Sequence, residues 1–172
     1  MDSIWRELIR QHTGAAIEML ENAIAACPDW LWDADDQQPA FWYLAYHTIF
    51  FLDFYASDPA GFAPPAPFTL SELDPSGVLP DRTYSKDELL SYLAHGRRKH
   101  LALLDTLTAE RVTERRDYAW LQTTLGELAV ITLRHLQHHT AQLNLILRQR
   151  TDSAPPWVKA PRDRVEASIL DG

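Results

Sequence analysis

The stretch TLGELAVITLRHLQHHTAQLNLILRQR, Thr124 to Arg150, decides the fold class. Leu125, Leu128, Thr132, Leu136, Leu143 and Ile146 recur at helical spacing and define one inward direction. Thr124 followed by Glu127 has the spacing of a capping box, so a helix is expected to begin there. Arg148 and Arg150 in its last turns suit the negative end of the helix dipole.

The same stretch carries three histidines. Residues four apart on a helix stand above one another, so His135 and His139 can present two imidazoles to one ion. His135 with His138 is the other possible pair. His138 points much further from the inward direction, so a metal between helices is expected to choose His135 and His139. Gln142 falls within reach of the edge of such a site.

Three further helices are expected upstream. One runs from about Ser3 to Cys27, with Trp5, Leu8, His12, Ala16, Met19 and Ala23 on one stripe and Pro28 after its end. A second runs from about Pro39 to Ala56 and is apolar on nearly every side, which calls for enclosure by neighbours or a partner. A third opens with the capping box Ser85-Lys86-Asp87-Glu88 and continues to about Leu107. Between the second and third, residues 57–84 are punctuated by Pro59, Gly61, Pro64, Pro65, Pro67, Pro75, Gly77 and Pro80. This reads as one long crossover loop with a short helical turn near Ser71-Glu72-Leu73. With no clear strand pattern, the economical solution is an all-α four-helix bundle. It forms one domain over 1–172 with an irregular tail from about 151, anchored by Trp157.

His47 interrupts the most apolar segment of the chain, where an unpaired imidazole carries a desolvation cost. Coordination or a hydrogen bond removes that cost, and His47 is therefore the third candidate ligand. Three protein ligands plus water make a site with an open position. Neutral imidazole suits zinc, nickel, iron or copper; a divalent ion, zinc or nickel first, is the expected cofactor. His12 and His100 fall on apolar stripes and read as hydrogen-bonded core histidines, with a fourth-ligand role as the alternative. His95 lies off the apolar stripe of its helix and reads as solvated.

A formal charge of −8, from 24 acidic and 16 basic residues, argues against a nucleic-acid or anionic-membrane surface. The most apolar stretch is too short to span a bilayer, which takes roughly 20 apolar residues. The amino terminus lacks the pattern of a secretion signal. The single cysteine, Cys27, has no internal disulfide partner, so a cytoplasmic protein is the expectation.

With Leu44-Ala45-Tyr46-His47, Tyr84-Ser85-Lys86-Asp87-Glu88-Leu89-Leu90 and His135 to Leu143 in this order, the chain resembles the DinB/YfiT-like family of metal-dependent bundles. The resemblance covers roughly Ser3 to Arg150. It implies an up-down-down-up topology, a divalent metal on the positions matching His47, His135 and His139, and recurrent residues at His138 and Gln142. Thr140-Ala141 replaces the family's frequent Arg-Gly pair. The resemblance also implies homodimers, for which Trp42, Ile49 and Leu145 are the outward-leaning apolar candidates. By the same resemblance, the implied activity is a thiol-dependent S-transferase or detoxifying hydrolase, in which the ion activates a low-molecular-weight thiol or water against a small-molecule substrate. No side chain presents itself as a general base. A non-enzymatic metal-binding stress or interaction protein and a metal-free helical scaffold are the competing accounts.

Overall fold

The computed structural model describes residues 3–162. Most of these residues are helical. The long helices are α1 (Ser3–Ala26), α3 (Phe41–Tyr55), α4 (Lys86–Asp105) and α5 (Leu125–Thr151). A single turn, α2 (Asp29–Trp32), follows α1. Both expected capping boxes form. The Ser85 side chain accepts from the Glu88 N–H while the Ser85 N–H donates to the Glu88 carboxylate, and Thr124 and Glu127 do the same for α5. These reciprocal bonds satisfy amide donors that helix starts leave without partners.

One element departs from the all-helical expectation. Strands β1 (Arg115–Tyr118) and β2 (Leu121–Thr124) form an antiparallel hairpin whose second strand runs directly into α5. The expected crossover loop is present, and it contains the short 3-10 turn Ser71–Leu73 together with a second, Pro59–Gly61.

The four long helices pack through α1–α5, α3–α4, α1–α4 and α3–α5 contacts. Arg6 on α1 donates to the Leu107 carbonyl just beyond α4, and Glu18 on α1 meets Arg97 on α4. Gly96 on α4 lies against Leu52 on α3, so closely that an added Cβ would stand 3.3 Å from Leu52 Cδ2. The core is aromatic around α3. Phe68, from the crossover loop, stacks on Tyr92 with ring centroids 4.2 Å apart and also packs on Tyr46 and Tyr84. The loop is thereby pinned into the core rather than lying over it.

Several expectations about faces change. Trp42 and Ile49 are buried within the chain, so they do not supply an outward dimer surface; of the three candidates only Leu145 is exposed. Trp42 is covered by Tyr84, and its indole N–H donates to Asp33 Oδ1 at 2.7 Å. The buried face of α1 is rotated towards Thr13, Ile17, Leu20 and Ile24, which leaves His12 exposed. His100 is buried as expected, but neither ring nitrogen has a hydrogen-bond partner among the described residues. Burial pushes its pKa down to about 4, so the ring is neutral at pH 7. Trp157 is 67 % exposed and does not anchor the tail. That role falls to Pro161, buried against Gly14, and to the Arg162 N–H, which donates to the buried Glu18 carboxylate at 2.8 Å. No described helix is long and apolar enough to cross a membrane.

Candidate metal centre

His47 projects from α3, and His135 and His139 project from successive turns of α5. One nitrogen from each ring lies within 4.8 Å of the others. His47 Nε2 and His135 Nε2 are 3.3 Å apart. Two imidazoles bound tetrahedrally at about 2.0–2.1 Å from one zinc ion would place their nitrogens roughly 3.3–3.4 Å apart. The spacing of this pair therefore fits shared coordination, and the donor set of three imidazoles fits a borderline-soft divalent ion.

The outer nitrogens are also engaged. His47 Nδ1–H donates to Glu72 Oε2 at 2.6 Å, and His139 Nδ1–H donates to Gln142 Oε1 at 2.7 Å. Both bonds assign the tautomer that leaves Nε2 with a free lone pair. An acceptor behind a ligating imidazole fixes the ring's orientation and raises its basicity. Glu72 comes from the 3-10 turn of the crossover loop, and its side chain is only 3 % exposed. Tyr46 holds this turn by donating to the Thr69 carbonyl at 2.9 Å. The second oxygen, Glu72 Oε1, is buried without a hydrogen-bond partner among the described residues. Burial first, and then the Glu72 carboxylate, push the Tyr43 phenol well above its ordinary pKa.

Electrostatics keep the α5 pair neutral. Burial, followed by the neighbouring His139, His47 and His138, pushes His135 down to about 3. Burial also lowers His139, to about 4; its bond to Gln142 opposes the shift, and His47 and His138 add to it. Ligation requires unprotonated imidazole, so both rings are ready at pH 7.

The cluster is half-buried rather than sealed. Phe51 lies against both His47 and His135, with centroids 4.9 and 5.4 Å away. The hairpin adds Trp120, which touches Phe51 and Phe54 while remaining 55 % exposed. His135 also borders a wide, open surface depression along α5 with Ile131, Arg134, Gln137 and His138.

The other candidates lie elsewhere. His138 is exposed, with its ring 4.8 Å from that of His139, and is not in the converging set. His12 and His100 are also outside it. His95 is part-exposed, with Nε2 3.6 Å from Asp53 Oδ1, so it is not simply solvated. Cys27 is buried, and burial pushes its thiol up to about 12, which removes it as a nucleophile at neutral pH. Glu72 is the site residue that sequence reasoning missed.

Fold and site together define a mostly helical protein with a half-buried three-histidine cluster between two helices. The model of the DinB superfamily matches residues 12–143, and the chain belongs to that family. No curated protein and no solved structure matches it.

Proposed function

We propose that the chain is an up-down-down-up four-helix bundle that binds one divalent transition metal, zinc or nickel, through His47, His135 and His139. Pairings between the helices support these directions. His47 meets His139 while Phe51 meets His135, which makes α3 and α5 antiparallel. Tyr46 meets Tyr84 and Leu52 meets Gly96, which makes α3 and α4 parallel. Trp5 and Ile9 pack on the cluster that contains Leu125 and Ala129, and Met19 meets Gln137, which supports parallel α1 and α5.

The observation that carries the metal reading is the convergence of the three ring nitrogens within 4.8 Å. The function it supports is metal-dependent transfer or hydrolysis. When bound, the ion would lower the pKa of a small thiol or a water and present it as a nucleophile to an electrophilic substrate. The chain's own residues hold and orient. Glu72 and Gln142 fix two imidazoles, and Phe51, Tyr55 and Trp120 wall the site on one side. Half-burial, with three candidate ligands and no fourth in the converging set among the described residues, favours this reading over a purely structural ion, which is normally closed off by a fourth protein ligand.

The test begins with elemental analysis of protein prepared without added metal and then reconstituted with zinc or nickel. One ion per chain is expected, with chelator-sensitive turnover on a panel of cellular thiols and electrophiles. No ion from either solution overturns the metal reading. A bound ion with no turnover across the panel favours a non-enzymatic metal-binding protein.

Glu72 supplies a sharper check on the geometry. Glu72→Gln keeps the shape of the side chain and removes the charge behind His47. The metal affinity is expected to fall about 10- to 100-fold, the usual cost of losing such an outer partner. Competition with a chromophoric chelator reads this directly, and a change under twofold would mean that the carboxylate does not act through the ring.

A further inference from the structure

A second depression, about 330 Å³, lies beside the first and shares Arg134 and Gln137 with it as a common wall. It is formed by α1, α5 and the tail, and Arg134, Lys159, His12 and Trp157 are among its lining residues. The two depressions adjoin at Arg134 and Gln137, so their lining residues extend over α5 from His135 to the tail. Arg134 and Lys159 are both exposed, and neither has an acidic or hydrogen-bonding partner among the described residues. Arg98 and Arg148 are likewise exposed without a carboxylate partner among the described residues, but neither lines a depression beside the histidine cluster, whereas Arg134 lines both.

We infer that this stretch of surface is the binding site for an anionic small molecule, whose carboxylate or phosphate is held by Arg134 while its other end reaches the histidine cluster. The inference rests on the proposed metal site and adds the substrate class. Arg134 directly precedes His135 in the chain, is exposed, and lines the same open depression. A guanidinium presents a planar fork of donors that matches both carboxylate and phosphate. Lys159, at the far end, would receive further negative charge on a longer ligand, and the exposed indole of Trp157 offers a face for an apolar segment. A neutral ligand would leave both cations unused.

The experiment uses cobalt-loaded full-length protein and three probes that share a thiol: 2-mercaptoethanol, 3-mercaptopropionate and 2-mercaptoethyl phosphate. Binding is followed by calorimetry and by the cobalt absorption spectrum. At least one anionic probe is expected to bind about fivefold tighter than 2-mercaptoethanol, the scale of an exposed but bidentate charge pair. Which probe gains identifies the anion. In Arg134→Gln that advantage should fall below twofold, while affinity for 2-mercaptoethanol and for cobalt stays at the wild-type value. Arg134→Glu should turn the advantage into a penalty. If cobalt binds but neither anion is preferred, or if the preference survives in Arg134→Gln, the inference fails and the metal reading stands. If cobalt does not bind, the metal reading fails and this inference falls with it.

Discussion

His47→Ala is expected to lose the metal ion at concentrations that saturate the wild-type protein, and His135→Ala and His139→Ala are expected to do the same. Four-ligand zinc sites bind with an apparent free energy of about 10–16 kcal/mol at neutral pH, so one imidazole accounts for roughly 3 kcal/mol. Each substitution should therefore weaken affinity on the order of a hundred- to a thousandfold. The rings are only half-buried, so the metal-free variants should remain folded and the comparison should be clean. His138→Ala, His12→Ala and His100→Ala serve as controls. His138 and His12 are exposed and His100 lies outside the converging set, so all three should keep one ion per chain. The discriminating residue is His47. It belongs to a different helix from the other two, and its Nε2 is 3.3 Å from that of His135. A folded His47→Ala protein with affinity within threefold of wild type would leave an ion on α5 alone and remove the inter-helix site.

The three clustered histidines were legible for two different reasons. The i, i+4 spacing fixes His135 and His139 on one face whatever surrounds them. His47 stood out because its neighbours are apolar. The same neighbours hid the orientation of α3. A helix that is apolar all round gives no reliable direction on a helical wheel, so the outward lean expected of Trp42 and Ile49 was wrong; both are enclosed by the chain itself. On α1, Ala16 and Ala23 of the expected stripe are buried, but the buried face extends to Thr13, Ile17, Leu20 and Ile24 rather than to Leu8 and His12. That rotation of the buried face was enough to put His12 into solvent. The hairpin escaped notice for a different reason. Its strands are four residues each, and its turn, Ala119-Trp120, contains neither glycine nor asparagine, the usual signal for a two-residue turn. Glu72 was out of reach altogether. Its place beneath His47 depends on how far the proline-rich loop dips into the core, which is set by the stacking of Phe68 on Tyr92 and by Tyr46 holding the Thr69 carbonyl. Those are contacts between distant segments, and no local pattern encodes them.

Lys99→Met is expected to destabilise the protein by about 2–4 kcal/mol, through a polar cluster that the metal site does not use. Asp53, in the apolar helix α3, is fully buried. Lys99 Nζ donates to its Oδ1 at 2.6 Å, and the Tyr92 hydroxyl donates to Oδ2 at 3.2 Å. Removing the ammonium leaves a buried carboxylate facing only a phenol and, 3.6 Å away, part-exposed His95. Breaking a buried ion pair from one side costs about 3–5 kcal/mol in general, and the lower range here allows for the third of the Lys99 side chain that stays in solvent. Methionine keeps most of the alkyl stem, so the loss reports the charge rather than packing. Urea unfolding at pH 7 gives the difference directly, provided the slope with denaturant is unchanged. The double variant Asp53→Leu with Lys99→Met should recover most of the loss, because the uncompensated charge goes with the carboxylate and only the Tyr92 hydroxyl is left without its acceptor. A Lys99→Met protein within 0.5 kcal/mol of wild type, on the order of an exposed pair, would mean that water already reaches Asp53. The α3–α4 contact would then depend on the close approach of Leu52 to Gly96 and on the aromatic packing around Phe68 rather than on this buried pair.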